Sequence, residues 1–350
     1  MSGKQNPALP ASKPQAISAL VTIYDVAARA QVSPKTVSRV VNNSALVSED
    51  TKERVQLAIK ELGYFPSPIA RSLRTGRDSA IGVVVESFAD PFFSAVIAGI
   101  RQVNQEKSPP LLVASTEGVP GQEALIVQAF VRRQVSGLIL VPTDADQAYL
   151  CEVSRQIPVV LVDRPGTNIE VDTVLGDDAG AAARAVDHLA GRGHRRIALV
   201  VGPPTIITST RRVTGYRQAL VTNRIEFDPR LVLECATTQD AALALDHLLS
   251  LPSPPTAIFC ANTKASLGII PALHALHRTD VALVCFGDLP LASVVSPAIA
   301  VIDQNPSELG AIAGRLLAAR ITGARHGPAE VITVPTILVT RGAGERQGPF

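Results

Sequence analysis

Seven short apolar runs rich in β-branched residues recur along the chain: IGVVV (81–85), LLVAS (111–115), GLILV (137–141), VVLVD (159–163), IALVV (197–201), AIFCA (257–261) and ALVCF (282–286). Each is continuous rather than alternating, as a strand buried on both faces requires. Between them lie amphipathic stretches of ten to twenty residues, such as 93–106 and 178–192, which read as helices. Strands alternating with helices fold into parallel sheets covered on both sides. About 270 residues of this pattern exceed one ordinary core, so the expectation is two doubly wound lobes. Ligands in such folds sit outside the carboxyl ends of the strands. The residues to inspect therefore follow the runs, at 90–93, 115–116, 163–164, 262–263 and 287–288.

The first eighty residues follow a different pattern. Positions 22–42, TIYDVAARAQVSPKTVSRVVN, predict two short helices joined by a tight turn. Thr22 can cap the first, with Asp25 as the returning acid of a capping box. Ser33 can cap the second, and Pro34 stands at its first position, where a missing N–H costs nothing. Val26, Ala27 and Ala30, then Val37, Val40 and Val41, form the apolar faces. Lys35, Thr36, Ser38, Arg39 and Asn42 are left outward on the second helix. Cations, amides and hydroxyls on a short helix suit the DNA major groove; the plainer alternative is a helical hairpin with a solvated face. A third helix begins after Ser48 with Glu49 and Asp50 in its first turn, buries Val55, Ile59 and Leu62, and stops at Gly63. Tyr64 and Phe65 are expected to close this small core. Residues 66–79, PSPIARSLRTGRDS, read either as a basic linker or as a helix that forms on DNA, with Leu73 wedged into the minor groove and Arg71 and Arg74 on phosphates.

Charge supports the division. Residues 1–78 carry eleven Lys/Arg against six Asp/Glu, a net +5, while the whole chain is only +2, so the remainder carries −3. A basic end on a mildly acidic body fits nucleic-acid binding. Residues 1–20 are neither a signal peptide nor a membrane span and are expected to be a disordered tail; the protein is expected to be cytoplasmic. The four cysteines are scattered, so reduced thiols are the default. No G-x-S-x-G, H-E-x-x-H or P-loop is present, and the histidines do not pair at metal-ligand spacing. The expectation is no enzyme, no cofactor and no metal.

These motifs together resemble the LacI/GalR family of bacterial transcription regulators, over nearly the whole length from Val21 to Gly342. IYDVAARAQVSPKTVSRVVN and VSEDTKERVQLAIKELGYFPSPIARSLRTG look like its headpiece and hinge. DPFF (90–93), GLILVP (137–142), IPVVLVDRP (157–165), GHRRIALVVGPP (193–204), STRRVTGY (209–216), AIFCAN (257–262) and LPLASVVSPAIAVIDQ (289–304) look like its effector-binding core. The resemblance implies an all-α helix-turn-helix headpiece at 21–65, a hinge helix or linker at 66–79, and a two-lobed α/β core at 80–350. The core would resemble a periplasmic binding protein, with an N-lobe of about 80–175 and 305–335 and a C-lobe of about 176–304 and 336–350.

The resemblance also implies a dimeric regulator, more often a repressor, on a near-palindromic double-stranded operator, controlled by a small polar effector between the lobes. Pro34, Lys35 and Arg39 match base-reading positions; Thr22, Tyr24, Ser33, Thr36, Ser38 and Asn42 match phosphate or positioning sites. Leu73, with Arg71 beside it, matches the hinge wedge, which favours the DNA-dependent helix over the passive linker. Effector contacts are implied at Asp90, Phe92, Ser115, Asp163, Arg164, Arg212, Asn262 and Gln304. The C-terminal RGAGERQGPF lacks heptads, so no zippered tetramer is expected. Two departures bear on the effector. The chain has Asn262-Thr263 where Asn-Asp is usual, and Gly287 where a carboxylate often meets sugar hydroxyls. With Arg164 and Arg212 facing the cleft, this leaves room for an anion such as a sugar acid or sugar phosphate. The competing accounts are that Gly287 only enlarges the pocket, or that effector control has been lost. A cytoplasmic solute-binding module without DNA regulation is the alternative function; it leaves the first eighty residues unused.

Overall fold

A computed structural model of the chain describes residues 21–41, 46–64, 80–103 and 109–349. The chain divides into two compact units, Met1–Gly76 and Arg77–Phe350. The expected tail at 1–20, Phe65, the 66–79 segment and the site residues Asn42, Arg71 and Leu73 lie outside the described residues.

Among the described residues the first unit holds three helices: α1 (Ile23–Ala30), α2 (Pro34–Val41) and α3 (Glu49–Leu62). Each starts or stops on a local signal. Asp25 accepts from the Thr22 backbone N–H and from the Thr22 hydroxyl, each at 2.7 Å, in the capping box expected at the start of α1. Ser33 Oγ accepts from the Thr36 N–H at 3.1 Å, ahead of Pro34. Gly63, at φ +63°, ends α3. Val26, Val37, Val40, Val55, Ala58 and Tyr64 form the buried core.

The second unit is built of two six-stranded sheets. The first lobe contains β1 (Ile81–Val85), α4 (Pro91–Gln102), β2 (Leu111–Ser115), α5 (Gln122–Arg132), β3 (Gly137–Leu140), α6 (Leu150–Ser154), β4 (Val159–Val162) and β5 (Asp172–Gly176). The second contains α7 (Asp178–Gly191), β6 (Ile197–Val201), α8 (Ile207–Thr222), β7 (Val232–Glu234), α9 (Thr238–Leu249), β8 (Ala257–Cys260), α10 (Thr263–Ala275), β9 (Ala282–Phe286) and β10 (Ala300–Asp303). The chain then returns to the first lobe for α11 (Pro306–Thr322) and β11 (Val331–Val334), and ends in the second with β12 (Ile337–Val339). The strand orders are β11-β5-β4-β3-β1-β2 and β12-β10-β9-β8-β6-β7. All pairings are parallel except β10 with β12.

Each sheet is covered on both faces, which is why its strands are continuously apolar. In the first lobe α4 and α11 pack on one face, and α5 and α6 on the other. In the second, α7 and α8 pack on one face, and α9 and α10 on the other. At two of the helix crossings, glycine is what lets the backbones approach. A Cβ at Gly99 of α4 would lie 1.9 Å from the Ser307 carbonyl oxygen, and one at Gly215 of α8 would lie 2.0 Å from that of Ala179 in α7. The second contact fixes the register of α8, and hence the position of Arg212 one turn earlier.

Candidate functional site

Two regions carry concentrated polar chemistry. The first is the outward face of α2. Val37 and Val40 anchor it to the headpiece core, leaving Lys35 and Arg39 exposed and Pro34, Thr36 and Ser38 half-buried. Tyr24 on α1 is 71% exposed. Three other headpiece cations are taken up locally: Arg29 pairs with Glu61 at 2.5 Å, Lys52 with Glu49 at 2.7 Å and Arg54 with Asp50 at 3.5 Å. Among the described residues no ion pair involves Lys35 or Arg39. The face is therefore a small cationic surface with hydroxyls at its edge, able to meet a polyanion.

The second region is a cleft between the two lobes, a cavity of about 70 Å³. Its walls come from residues directly after β1, β4, β6, β8 and β10, the carboxyl ends where the fold class places ligands. Seven of the eight sequence-derived effector positions line it: Asp90, Phe92, Asp163, Arg164, Arg212, Asn262 and Gln304. Ser115 does not; it ends the edge strand β2 and donates to Glu117 Oε1 at 2.5 Å.

Local backbone geometry aims these side chains. Asp90 caps α4, accepting from Phe92 N–H at 3.0 Å. Asn262 caps α10 through Oδ1, at 2.7 Å from Ala265 N. Asp163 has φ +71°, in the left-handed region, and the Arg164 N–H bonds the Val162 carbonyl at 2.8 Å across it. That bond closes a γ-turn of the strained type. The turn brings two consecutive residues, Asp163 and Arg164, to the same cleft, where a continuing strand would have sent them to opposite faces.

Electrostatically the cleft is closely compensated. Arg164 donates from Nη2 to Glu86 and from Nη1 to the Pro142 carbonyl at 3.1 Å, and its Nε lies 3.4 Å from Asp163 Oδ2. Arg212 holds Asp178 Oδ1 through both Nε and Nη2 at 2.8 Å and the Ala261 carbonyl through Nη1 at 2.7 Å. Its guanidinium carbon stacks 3.7 Å from the Phe286 ring centre. Lys264 Nζ reaches Glu86 Oε1 at 3.2 Å. Burial raises the Glu86 carboxyl, but Arg164 and Lys264 outweigh it and hold the group below its usual value. Burial raises Asp90 as well, held back by the Phe92 N–H and the Thr263 hydroxyl. Asp163 is pushed up to about 6, chiefly by burial, with Arg164 restraining the rise and Asp178 adding to it.

The sequence reading left Arg164 and Arg212 open to an anion; the structure adds their partners. Both are matched to buried carboxylates. In the cleft wall three cations, Arg164, Arg212 and Lys264, meet three acids, Glu86, Asp90 and Asp163, and Asp178 outside the wall pairs with Arg212. Gly287 stands at φ +91°, where a Cβ would lie 3.6 Å from Gln304 Nε2 and 3.9 Å from Thr263 Oγ1 of the cleft wall, and Asp288 beside it is turned to Arg341 at 2.8–2.9 Å. Sequence reasoning missed Glu86, Asp178 and Lys264. Glu86 carried a signal, since it directly follows the first apolar run. The Cys235 thiol in the wall is raised to about 11, mainly by burial and further by Asp240, so it is neutral and a poor nucleophile. Among the described residues no group of three His, Cys, Asp or Glu could hold a metal, and no helix is long and apolar enough to cross a membrane.

Comparison with known proteins accounts for both regions. Residues 22–67 match the model of bacterial regulatory proteins of the lacI family, and residues 186–343 match the periplasmic binding protein-like domain. The ribose operon repressor of Haemophilus influenzae is 31% identical over 324 residues, covering 91% of this chain and 98% of its own. The HTH-type transcriptional repressor CytR of Escherichia coli is 32% identical over 314 residues, covering 87% and 91%. Among solved structures, the Lac repressor bound to ONPG in the repressed state superposes with a TM-score of 0.79 at 28% identity, covering 93% of this chain and 99% of that one. The transcriptional regulator CelR–cellobiose complex superposes with a TM-score of 0.67 at 29% identity, covering 92% and 99%. With headpiece, two-lobed core and full-length relatives in agreement, this chain belongs to the lacI family of bacterial regulatory proteins.

Proposed function

We propose that this protein is a dimeric, operator-binding transcriptional repressor whose grip on DNA is set by an uncharged polyhydroxylated effector in the interlobe cleft. The observation that carries the effector reading is the compensation of Arg164, Arg212 and Lys264 by carboxylates already in place. An anionic ligand would compete with buried acids for each of these cations. Neutral hydroxyls can donate to Asp90 and Asp163 and accept from Arg212, Asn262 and Gln304 without disturbing any pair. This turns the reading away from the sugar acid or sugar phosphate suggested by Gly287.

In the headpiece, α2 is the helix for the major groove. Lys35 and Arg39 are assigned to base edges because Pro34 has no polar tip, and Arg39 is suited to bidentate pairing with guanine. Thr22, Tyr24, Ser33, Thr36 and Ser38 are assigned to phosphates and positioning. One headpiece reads too few base pairs to find a genomic site, which is the reason for a two-fold dimer on a near-palindromic operator. The relatives are repressors rather than enzymes, and a core that presents a binding cleft with a neutral thiol in its wall fits that role.

Genomic mapping of bound sites gives the operator. Gel shift on that operator then compares the full chain with the chain lacking residues 1–78. The full chain is expected to bind in two-fold complexes and the truncated chain not at all; equal binding by the two would overturn the assignment of the headpiece.

A further inference from the structure

Glu86 and Lys264 oppose each other across the cleft from different lobes. Glu86 directly follows β1 of the first lobe and is 8% exposed; Lys264 is the second residue of α10 in the other lobe, its side chain 44% exposed. Glu86 serves two cations at once. One oxygen takes Arg164 from its own lobe, and the other takes Lys264 at 3.2 Å from the opposite lobe. Next to this pair, Asp90 of the first lobe accepts from the Thr263 hydroxyl of the second. All of these residues line the cleft.

We propose that Glu86 is the residue that sets effector charge: by holding Arg164 and Lys264 from either side of the cleft, it withdraws both cations from anion recognition and reserves the site for uncharged ligands. The proposal rests on reading this cleft as the effector site. Its physical basis is a difference between ligand classes. A neutral ligand leaves the Glu86 pairs intact. An acidic ligand must either displace Glu86, stranding a buried carboxylate, or sit beside it in a site whose three cations are already matched by three acids. Glu86 is therefore a tethered anion in the place that a ligand anion would take. Without its carboxylate, the Lys264 ammonium would lose its ion-pair partner and the Arg164 guanidinium would keep only Asp163, leaving donors on opposite walls in an arrangement suited to clamping an anion.

The test uses the full-length wild-type chain, Glu86→Asp, Glu86→Gln and the double variant Glu86→Gln/Lys264→Gln. Thermal unfolding is followed at matched ionic strength with sulfate as an inorganic anion probe, and with glucose against glucuronate and galactose against galacturonate. Sulfate at constant ionic strength is expected to stabilise Glu86→Gln with an apparent affinity at least tenfold tighter than for wild type. Glu86→Asp keeps a carboxylate near Arg164 but is one methylene too short to span to Lys264, so a smaller gain of several-fold is expected. In the double variant most of the Glu86→Gln gain is expected to disappear. Among the sugars, each acid is expected to gain at least tenfold on its neutral partner in Glu86→Gln. Folded Glu86→Gln or, should that variant not fold, folded Glu86→Asp with the sulfate response of wild type would overturn the proposal. Failure of the effector reading has a different signature: no neutral polyol in a wider panel stabilises wild type, whatever sulfate does to the variants.

Discussion

The headpiece face and the interlobe cleft both use arginine and lysine, in opposite ways. On α2, Lys35 and Arg39 stand exposed without ion pairs among the described residues, while Arg29, Lys52 and Arg54 are taken up by neighbouring acids. In the cleft, Arg164 and Arg212 are buried and each is matched to a carboxylate. An exposed unpaired cation suits a polyanion, because binding releases counterions and needs no buried compensation. A buried paired cation cannot be lent to a ligand without cost. It serves instead as a fixed donor with a settled orientation, as recognition of an uncharged ligand requires.

Salt breaks the two regions apart most strongly. Operator affinity is expected to fall by roughly 10³–10⁵ between 50 and 200 mM salt if a dimer makes six to ten phosphate contacts. Affinity for a neutral effector is expected to change by less than about threefold over the same range, because buried pairs are screened little. Fluorescence anisotropy and calorimetry at matched salt check this; a steep salt slope for the effector would contradict the compensated cleft.

Removing a cation from each region comes next. Arg212→Met leaves Asp178 buried without its partner and is expected to destabilise the core by about 3–5 kcal/mol, with part of the loss recovered in the double variant with Asp178→Asn. Urea unfolding measures both. Arg39→Ala touches no buried pair, so its stability is expected to stay within about 0.5 kcal/mol of wild type. Its effect falls on recognition instead, a loss of roughly 1–3 kcal/mol of discrimination at one operator base pair. Selection from random DNA that returned the same motif with and without Arg39 would sink the assignment.

The smallest effect is on pH. Asp163 titrates at about 6 in the fold, raised mainly by burial, against roughly 3.9 in an unfolded chain. Because the folded value is the higher one, its contribution to stability is complete below the unfolded value and is lost as pH rises through 6. Effector binding runs the other way, since hydroxyls need the ionised carboxylate as acceptor. Affinity is expected to be flat above pH 7 and to fall by up to about tenfold per pH unit below 6, a dependence that Asp163→Asn removes.

The strands after Ile81 were legible because burial on both faces leaves continuous apolar runs, and all seven runs coincide with strands to within a residue. Five further strands were not legible. β5, DTVLG, opens with an ion-paired Asp172; β11 and β12 hold exposed apolar residues at the rim of each sheet; β7 has three residues, and β10 follows an irregular stretch. α2 was legible from Ser33 and Pro34, whose capping is local. In the cleft, position was readable and charge state was not. Strand ends point to Asp163, Arg164 and Asn262 without knowledge of the fold. Whether Arg164 and Arg212 are free depends on Glu86, 78 residues away, and Asp178, 34 residues away. Glu86 and Lys264 are 178 residues apart and meet only when both lobes are in place. Ser115 misled because strand order, rather than strand ends alone, decides which loops face the cleft, and β2 lies at the edge.

The most direct measurement titrates the full chain on its mapped operator with neutral sugars and with their acid and phosphate counterparts, following operator affinity by fluorescence anisotropy. A neutral polyhydroxyl compound is expected to change operator affinity by at least tenfold, with its charged counterparts inert and the response lost in Arg212→Met. A response to sugar acids or phosphates alone would contradict the account.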